Sequence, residues 1–522
     1  MIKRLILRLF SRKCEPIVRN SRIGVRISPV LAKNLHTIKT LFEDADDVTV
    51  REFKVGGKGT SAAVVYISGM LDNEVINAQL LKTLMLDARQ IKQWDEPDLL
   101  DRIKGMITIG DLKEIESFDD AVYYLLAGKA VLFVDTVFKA LAIGAQGWEQ
   151  RGVEQPVAEA VIRGPRDSFC ECVTTNITLV RQRLKDPSLK IKMYLLGRRS
   201  RTAVALVYIA DIIDPGILEE AQNRLDKVDI DSLTDSGYLE QLISDSWWSP
   251  FDTVQATERP DEVVGGLLEG RFALICDNSP FVILAPTTIN TLMHSPEDYY
   301  ISWSASTIIR MVRFVGSFLA LTLPAVYIAL VSYNPEMIPT TLALTIAAAR
   351  DGIPFPAVTE AFVMELMLEL LREAGIRLPG PIGQTIGIVG GIIIGDAAVR
   401  AGLVSPVMVI IVASTAIASF LIPTYSLTIT VRNLRFFLMT MAAVLGLFGV
   451  SMGMLVILVH LATLKSFGVS MLSPWSPLRI RAFQDTVIRF PWLAMKARPR
   501  YLHPQDPDRL SDRRTDQFGD HP

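Results

Sequence analysis

Glu365, Glu369 and Glu373 recur at every fourth position of an otherwise apolar stretch, Glu360-Ala-Phe-Val-Met-Glu-Leu-Met-Leu-Glu-Leu-Leu-Arg-Glu373. On a helix that spacing sets three carboxylates on one face. Carboxylates in register attract cations, and in an assembly of several copies they can close into a negative ring. The same stripe also fits a helix lying at a membrane surface, its charged face toward headgroups or a soluble domain. Just beyond it, Gly383, Gly387, Gly391 and Gly395 share one helix face. Glycines so placed let backbones approach closely, within one chain or between copies in an oligomer. Glu360, Glu365, Glu369, Gly383, Gly387, Gly391 and Gly395 are therefore the candidate pore or oligomer contacts.

Other chemistry finds no support in spacing. Gly56-Gly-Lys-Gly-Thr-Ser61 lacks the phosphate-loop pattern and precedes a strand, so it reads as a turn. His36, His294, His460, His503 and His521 are scattered. Of Cys14, Cys170, Cys172 and Cys276, only the middle two are close, at a C-x-C spacing. That is neither a zinc pattern nor a disulfide framework. No G-x-S-x-G is present. We expect no enzyme, cofactor or metal. A net charge of −2 without a dense Lys/Arg stripe also argues against nucleic acid.

The elements that hold the candidate residues are membrane helices. The mean hydropathy of +0.31 is an average over two unlike halves. Charged and apolar stretches alternate up to about residue 300, whereas 311–464 is far more apolar. A span needs about 20 mostly apolar residues. Segments 312–332, 382–399, 403–423 and 436–464 qualify. The last is long enough that it has to tilt or to break near Gly449 or Gly453. Between the first two, Arg350-Asp-Gly-Ile-Pro-Phe-Pro356 interrupts an apolar run, and 357–374 reads as a helix. A broken segment at membrane depth must be buried in protein or line water. Segment 339–375 is thus the expected re-entrant or pore-lining element.

Orientation is contradictory on this count. Arg310 and Arg313 mark the side of the soluble half, Arg432 and Arg435 fall between the last two spans, and Lys465, Arg479 and Arg481 follow them. Four crossings put Arg432 and Arg435 outside, and five put Lys465 outside, against the rule that basic loops stay inside. We expect both termini to be inside.

The soluble half repeats itself. Asp119–Asp135 aligns without a gap on Asp261–Asp277, sharing Leu125/Leu267, Leu126/Leu268, Gly128/Gly270 and Leu132/Leu274, at an offset of 142 residues. Val65–Asp72 matches Val207–Asp214 in the same register. Two related α/β units are expected. The expected division is an N-terminal extension 1–33, α/β units 34–150 and 151–300, an all-α transmembrane domain 301–465 and a tail 466–522, disordered after about 500. The basic, apolar start, Met1–Phe10, reads as an amphipathic helix or membrane-surface anchor.

The stretch Glu360–Gly391, with Ala401-Gly-Leu-Val-Ser-Pro406, Arg432-Asn-Leu-Arg-Phe436 and Gly446-Leu-Phe-Gly449, resembles the GerA family of spore germination proteins, A-type subunit. Gly164-Pro-Arg-Asp-Ser-Phe169, Arg181-Gln-Arg-Leu184, Glu258-Arg-Pro-Asp261 and Leu268-Glu-Gly-Arg271 resemble it too, so the likeness runs from about 34 to 500. The resemblance implies a multi-pass subunit of a germinant receptor in the spore inner membrane, with its soluble half facing the cytoplasm or spore core. The implied partners are a transporter-like B subunit that binds the nutrient, a lipoprotein C subunit and membrane lipid. The implied activity is a homo-oligomeric, nutrient-gated channel that releases monovalent cations and so triggers germination. A non-conducting scaffold or relay subunit is the alternative. The paralogous stage V sporulation protein AF shares the architecture.

Overall fold

The computed structural model describes residues 25–56, 59–90, 99–145, 161–377 and 395–510, with the single positions 147, 156 and 159. Segment 1–10, Gly383, Gly387 and Gly391, and most of the expected span 382–399 lie outside them.

The N-terminal half contains two five-stranded antiparallel sheets. The first comprises β1 (Val48–Lys54), β2 (Ser61–Ile67), β3 (Leu112–Ile115), β4 (Ala130–Val134) and β5 (Ala140–Ile143), in the order β1-β2-β4-β5-β3. The second comprises β6 (Leu189–Leu196), β7 (Thr202–Ile209), β8 (Gln255–Thr257), β9 (Phe272–Cys276) and β10 (Val282–Ala285), in the order β6-β7-β9-β10-β8. Strands such as Ala130–Val134 are apolar at every position because both faces of the sheet are covered. Val131 and Phe133 face α1 (Leu31–Leu41) and α2 (Phe118–Leu126), while Leu132 and Val134 face the helical segments around Leu80 and Ile103.

The likeness between the sheets extends to single hydrogen bonds. Asp135 Oδ1 accepts from Leu31 N at 2.9 Å, and Asp277 Oδ1 accepts from Val173 N at 3.1 Å, at the start of α3 (Val173–Arg183). Asn34 brackets Ser28 through both its amide atoms, as Asn176 brackets Cys170. Asp214 caps α4 (Pro215–Asp226), and Gly270 ends α5 (Pro260–Glu269) at φ 102°, a left-handed conformation that favours glycine. The two units are tied together by a buried bidentate pair, Arg181 Nε to Asp47 Oδ2 at 2.8 Å and Nη2 to Oδ1 at 2.9 Å.

The C-terminal half is helical. Among the described residues, two helices are long and apolar enough to cross a membrane: α6 (Trp303–Ser332) and α10 (Tyr425–Thr463), whose most apolar 18-residue stretches have mean hydropathies of 2.1 and 2.5. Between them lie α7 (Thr340–Arg350), α8 (Ala357–Arg377) and α9 (Pro406–Ser419). The expected span 403–423 forms a helix of only 14 residues. Its length, roughly 21 Å at 1.5 Å per residue, is short for a bilayer core.

The expected break in the last span sits at Gly446, earlier than either glycine proposed from the sequence. Gly446 has φ 59° and ψ −140°, outside the helical region. On a straight helix Thr430 and His460 would be about 45 Å apart. Instead Thr430 Oγ1 donates to Pro250 O at 2.6 Å, and His460 Nε2 meets Ser249 Oγ at 2.9 Å. α10 is therefore a helical hairpin, with arms 425–445 and 447–463. Gly449 and Gly453 permit its arms to touch. A Cβ at Gly453 would lie 2.7 Å from Leu438, and one at Gly449 would overlap the Met441 carbonyl.

Contacts fix the direction of the other helices. Ser405, at the start of α9, has its hydroxyl 3.4 Å from that of Tyr327, and Leu421 beyond its end packs on Gly316. Glu360 near the start of α8 meets Ser405, and Arg372 near its end meets Ser419. Thus α8 and α9 run alongside each other and antiparallel to α6.

The tail differs from the expectation. Residues 500–510 pack on the second sheet unit: Gln505 N donates to Ile212 O at 2.8 Å, Gln505 Nε2 to Ile213 O at 2.7 Å, and Arg509 pairs with Glu269 at 3.2 Å. The polar composition of this stretch pointed to disorder. Carbonyls of the turn that follows β7, at residues 210–213, supply partners that composition does not reveal.

Candidate functional site

α8 carries the acidic stripe, and its orientation inverts the pattern of a surface helix. Val363, Leu366, Met367 and Leu370 face outward, while Glu360 and Glu365 are buried. Apolar residues outside and carboxylates inside reverse the pattern of a helix whose outer face meets water. The expectation of a charged face turned to headgroups or the soluble half is corrected for these residues. They face guanidinium groups of their own chain.

Three pairs form a ladder along α8. Glu360 Oε1 lies 3.0 Å from Arg350 Nη2, and its Oε2 accepts from Ser405 N at 3.0 Å. Glu365 Oε2 accepts from Arg435 Nη1 at 2.7 Å, and both side chains are 0% exposed. Arg435 Nε also donates to Ala320 O on α6 at 2.7 Å, so one guanidinium bridges three helices. Glu369 accepts from Arg432 through both of its oxygens, and from Arg372 at 3.2 Å. Glu373 pairs with Arg377 at the exposed end of the helix.

The arginines that made the topology contradictory are the partners of the stripe. Arg432 and Arg435 lie on the first hairpin arm, two and five residues beyond Thr430, where the arm meets the soluble half. Lys465 follows the second arm back to the same end. The sequence held a usable signal: Arg432 and Arg435 at i,i+3 opposite Glu365 and Glu369 at i,i+4. Gly395, the one described member of the glycine face, is buried, and a Cβ there would lie 3.7 Å from Val409 on α9. The described residues do not bring it to the ladder.

A second charged network anchors the base of α6. Asp298 accepts from Arg310 Nε at 3.0 Å and from Arg313 Nη1 and Nη2 at 2.8 and 3.1 Å. Asp485, from the tail, accepts from Arg310 Nη1 at 2.7 Å and from the Tyr299 hydroxyl at 2.8 Å. Burial alone would raise the Asp298 carboxyl, but the Arg313 hydrogen bond and the charges of Arg313 and Arg310 outweigh it and hold it below the usual range. Asp485 is likewise held low, chiefly by Arg310, against its burial. Burial, helped by the charge of Arg310, pushes the His294 imidazole down to about 4. Beside this network the tail, α5 and the 290–300 linker enclose a cavity of about 920 Å³ walled by Tyr299, Tyr300, Trp492 and Tyr501. Among the described residues no group of His, Cys, Asp and Glu side chains is arranged to hold a metal.

The family described as Bacillus/Clostridium GerA spore germination protein matches residues 36–501. The chain belongs to the GerA family. This GerA-family chain is 42% identical over 483 residues to spore germination protein KA of Bacillus subtilis strain 168, covering 92% of itself and 88% of that protein. It is 41% identical over 473 residues to the uncharacterized membrane protein YfkQ of the same organism, covering 91% of each. Among solved structures, the crystal structure of the N-terminal domain of the A subunit of the Bacillus megaterium spore germinant receptor GerK3 is 34% identical, with a TM-score of 0.41. The match covers 50% of this chain and 96% of that one. A role in spore germination and an association with the membrane follow from family membership and from the two apolar helices.

Proposed function

We propose that this chain is the A subunit of a germinant receptor in the spore inner membrane. It acts there beside a transporter-like B subunit and a lipoprotein C subunit, with its soluble half toward the cytoplasm. Its membrane half assembles with further copies around a path for monovalent cations. The observation that carries this reading is the buried Glu365–Arg435 pair, flanked by Glu360 and Glu369, on the inward face of α8. A polar track through an apolar bundle is costly unless it is used.

In the closed state each carboxylate of the track is neutralised by a guanidinium. Opening parts α8 from the first hairpin arm and admits water. The energetics permit this. Buried ion pairs gain little net stability over their desolvation penalty, and hydrated pairs lose little on separation. Closed and wetted states can therefore lie close in free energy, where a partner subunit can tip the balance. In the wetted state the carboxylates of several copies attract cations. The glycine face 383–395 is read as the surface along which helices approach, within the chain or between copies.

The hairpin supports a reading in which the arginines no longer conflict. If the span expected at 382–399 is counted as one pass with α6, α8, α9 and the two arms of α10, six crossings return the chain to its starting side. Arg432, Arg435 and Lys465 are then all inside, in keeping with the positive-inside rule. The two sheet units are read as copies of one ancestral unit that hold neighbouring subunits in register.

The test is ion flux from vesicles carrying the chain with its B and C partners. Wild type should be tight without nutrient and conduct with it, and Glu365→Gln should leak at least tenfold more in the resting state. A variant as tight and as responsive as wild type would exclude the track as the path. The self-neutralised ladder also fits a non-conducting relay subunit, or an accessory like the stage V protein. A complete receptor that never conducts would favour that reading.

A further inference from the structure

All five described tryptophans gather where the sheet units meet the helices, and none is buried. Trp247, Trp248, Trp303, Trp475 and Trp492 are between 43% and 89% exposed. Trp248 lies tilted against His460 at the end of the second hairpin arm, with ring centroids 5.6 Å apart. Its neighbour Phe251 is buried among the membrane helices and approaches the same imidazole. Trp303 opens α6, Trp475 Nε1 donates to Asn290 Oδ1 at 3.0 Å, and Trp492 packs at 5.7 Å from Tyr299.

Exposed indoles are costly in water and poor in hydrocarbon, because each ring has a large apolar body and one N–H that wants a partner. The headgroup layer satisfies both, and aromatic residues concentrate there. The lipid-facing side of the second arm supplies the continuity. Leu455, Val456, Leu458 and Val459 are exposed and apolar, and the band stops at His460, where Trp247 and Trp248 project. The tail from 474 to 510 adds seven Lys/Arg against three Asp, a balance suited to a phospholipid surface.

We propose that these tryptophans form a collar seated in the phospholipid headgroup layer of the leaflet nearest the soluble half. Trp247 and Trp248 are the deepest members. Trp303 lies seven residues before Arg310, roughly 10 Å toward the soluble half along α6, and is shallower. The collar fixes how far the base of the bundle sinks into the bilayer, and it makes the 244–252 loop and the tail lipid-contacting parts of the protein. The inference rests on reading α6 and α10 as membrane-spanning.

The test uses the full chain in phosphatidylcholine vesicles whose acyl chains carry bromine either near the headgroup or near the methyl end. Single-tryptophan variants are made by Trp→Phe elsewhere, and Met452→Trp in a tryptophan-free background reports the middle of the second arm. Trp247 and Trp248 should be quenched several-fold more by shallow bromine than by deep bromine, Trp303 more weakly by either, and Met452→Trp chiefly by deep bromine. If Met452→Trp is quenched while Trp247 and Trp248 are not, the collar is overturned and the spanning hairpin stands. Protection of those two from aqueous acrylamide in that case would assign their surface to contact with a second copy of the chain. If Met452→Trp is unquenched as well, the spanning reading falls and the collar with it.

Discussion

Two buried charge networks in this molecule use the same residue types to different ends. At the base of α6, both oxygens of Asp298 and both of Asp485 accept hydrogen bonds, and the two carboxylates share Arg310. Along α8, Glu365 Oε1 and Arg435 Nη2 are buried with no hydrogen-bond partner, and Glu360 Oε1 has only its ion pair. The junction satisfies all four carboxylate oxygens and leaves Arg310 Nη2 as its orphan, whereas the ladder leaves carboxylate oxygens and guanidinium nitrogens orphaned alike and so carries more of the desolvation cost of unpaired atoms. The junction therefore ties the tail, the linker and α6 together, and the ladder is the part of the bundle with more free energy to gain from water.

The largest effect should come from breaking the junction. Asp298→Ala leaves Arg313 without its carboxylate and Arg310 with one partner in place of two, and it should cost about 3–5 kcal/mol. Thermal unfolding in detergent would show this as a collapse of folded yield. At the ladder, Glu365→Gln strands the Arg435 charge and should cost about 3 kcal/mol, while Glu365→Gln with Arg435→Gln should recover at least half of that loss. A double-mutant cycle showing no coupling would place the pair outside the account.

Acid should separate the networks by a smaller margin. His294 has a folded-state value of about 4 against an ordinary 6.5, so the unfolded chain takes up its proton first. Stability should be complete above about 6.5 and decline as pH falls toward about 4, by up to about 3 kcal/mol. The depressed carboxylates Asp298 and Asp485 contribute above their ordinary range and are lost at still lower pH. His294→Gln should flatten the first limb in a pH series of unfolding midpoints. A smaller effect again is expected of Gly446→Ala. A methyl group at φ 59° would strain the turn and meet Tyr333 Cβ at 2.8 Å and its ring Cγ at 2.9 Å, a cost of about 1–2 kcal/mol. The exposed pair Arg198–Asp229 is a control, and Asp229→Asn should leave stability unchanged.

Much of the frame could be read from the residues. The 142-residue offset anticipated two sheets of one strand order, because caps and turns such as Asp135/Asp277 and Gly128/Gly270 leave local marks. The acidic stripe was visible at i,i+4 spacing, and its partners were not. Pairing Glu365 with Arg435 requires knowing that α10 doubles back, and the doubling hinges on one backbone angle at Gly446. A helical hairpin and a long tilted helix have the same periodicity, so hydropathy counted one span where there are two arms. Residues 500–510 were misjudged for a related reason, while 511–522 lie outside the described residues. Gln505 is held by carbonyls of residues 210–213, a contact between distant parts of the chain that composition cannot report.

The central claim is that α8 and the first hairpin arm must part for the path to open. Phe362 and Phe436 face each other across that seam, with ring centroids 6.2 Å apart. In a chain whose native cysteines are replaced by serine, Phe362→Cys with Phe436→Cys can be joined by a short bismaleimide within the reconstituted receptor. The account predicts that cross-linking abolishes nutrient-evoked cation flux while either single variant still responds. Undiminished flux through the cross-linked receptor would contradict it.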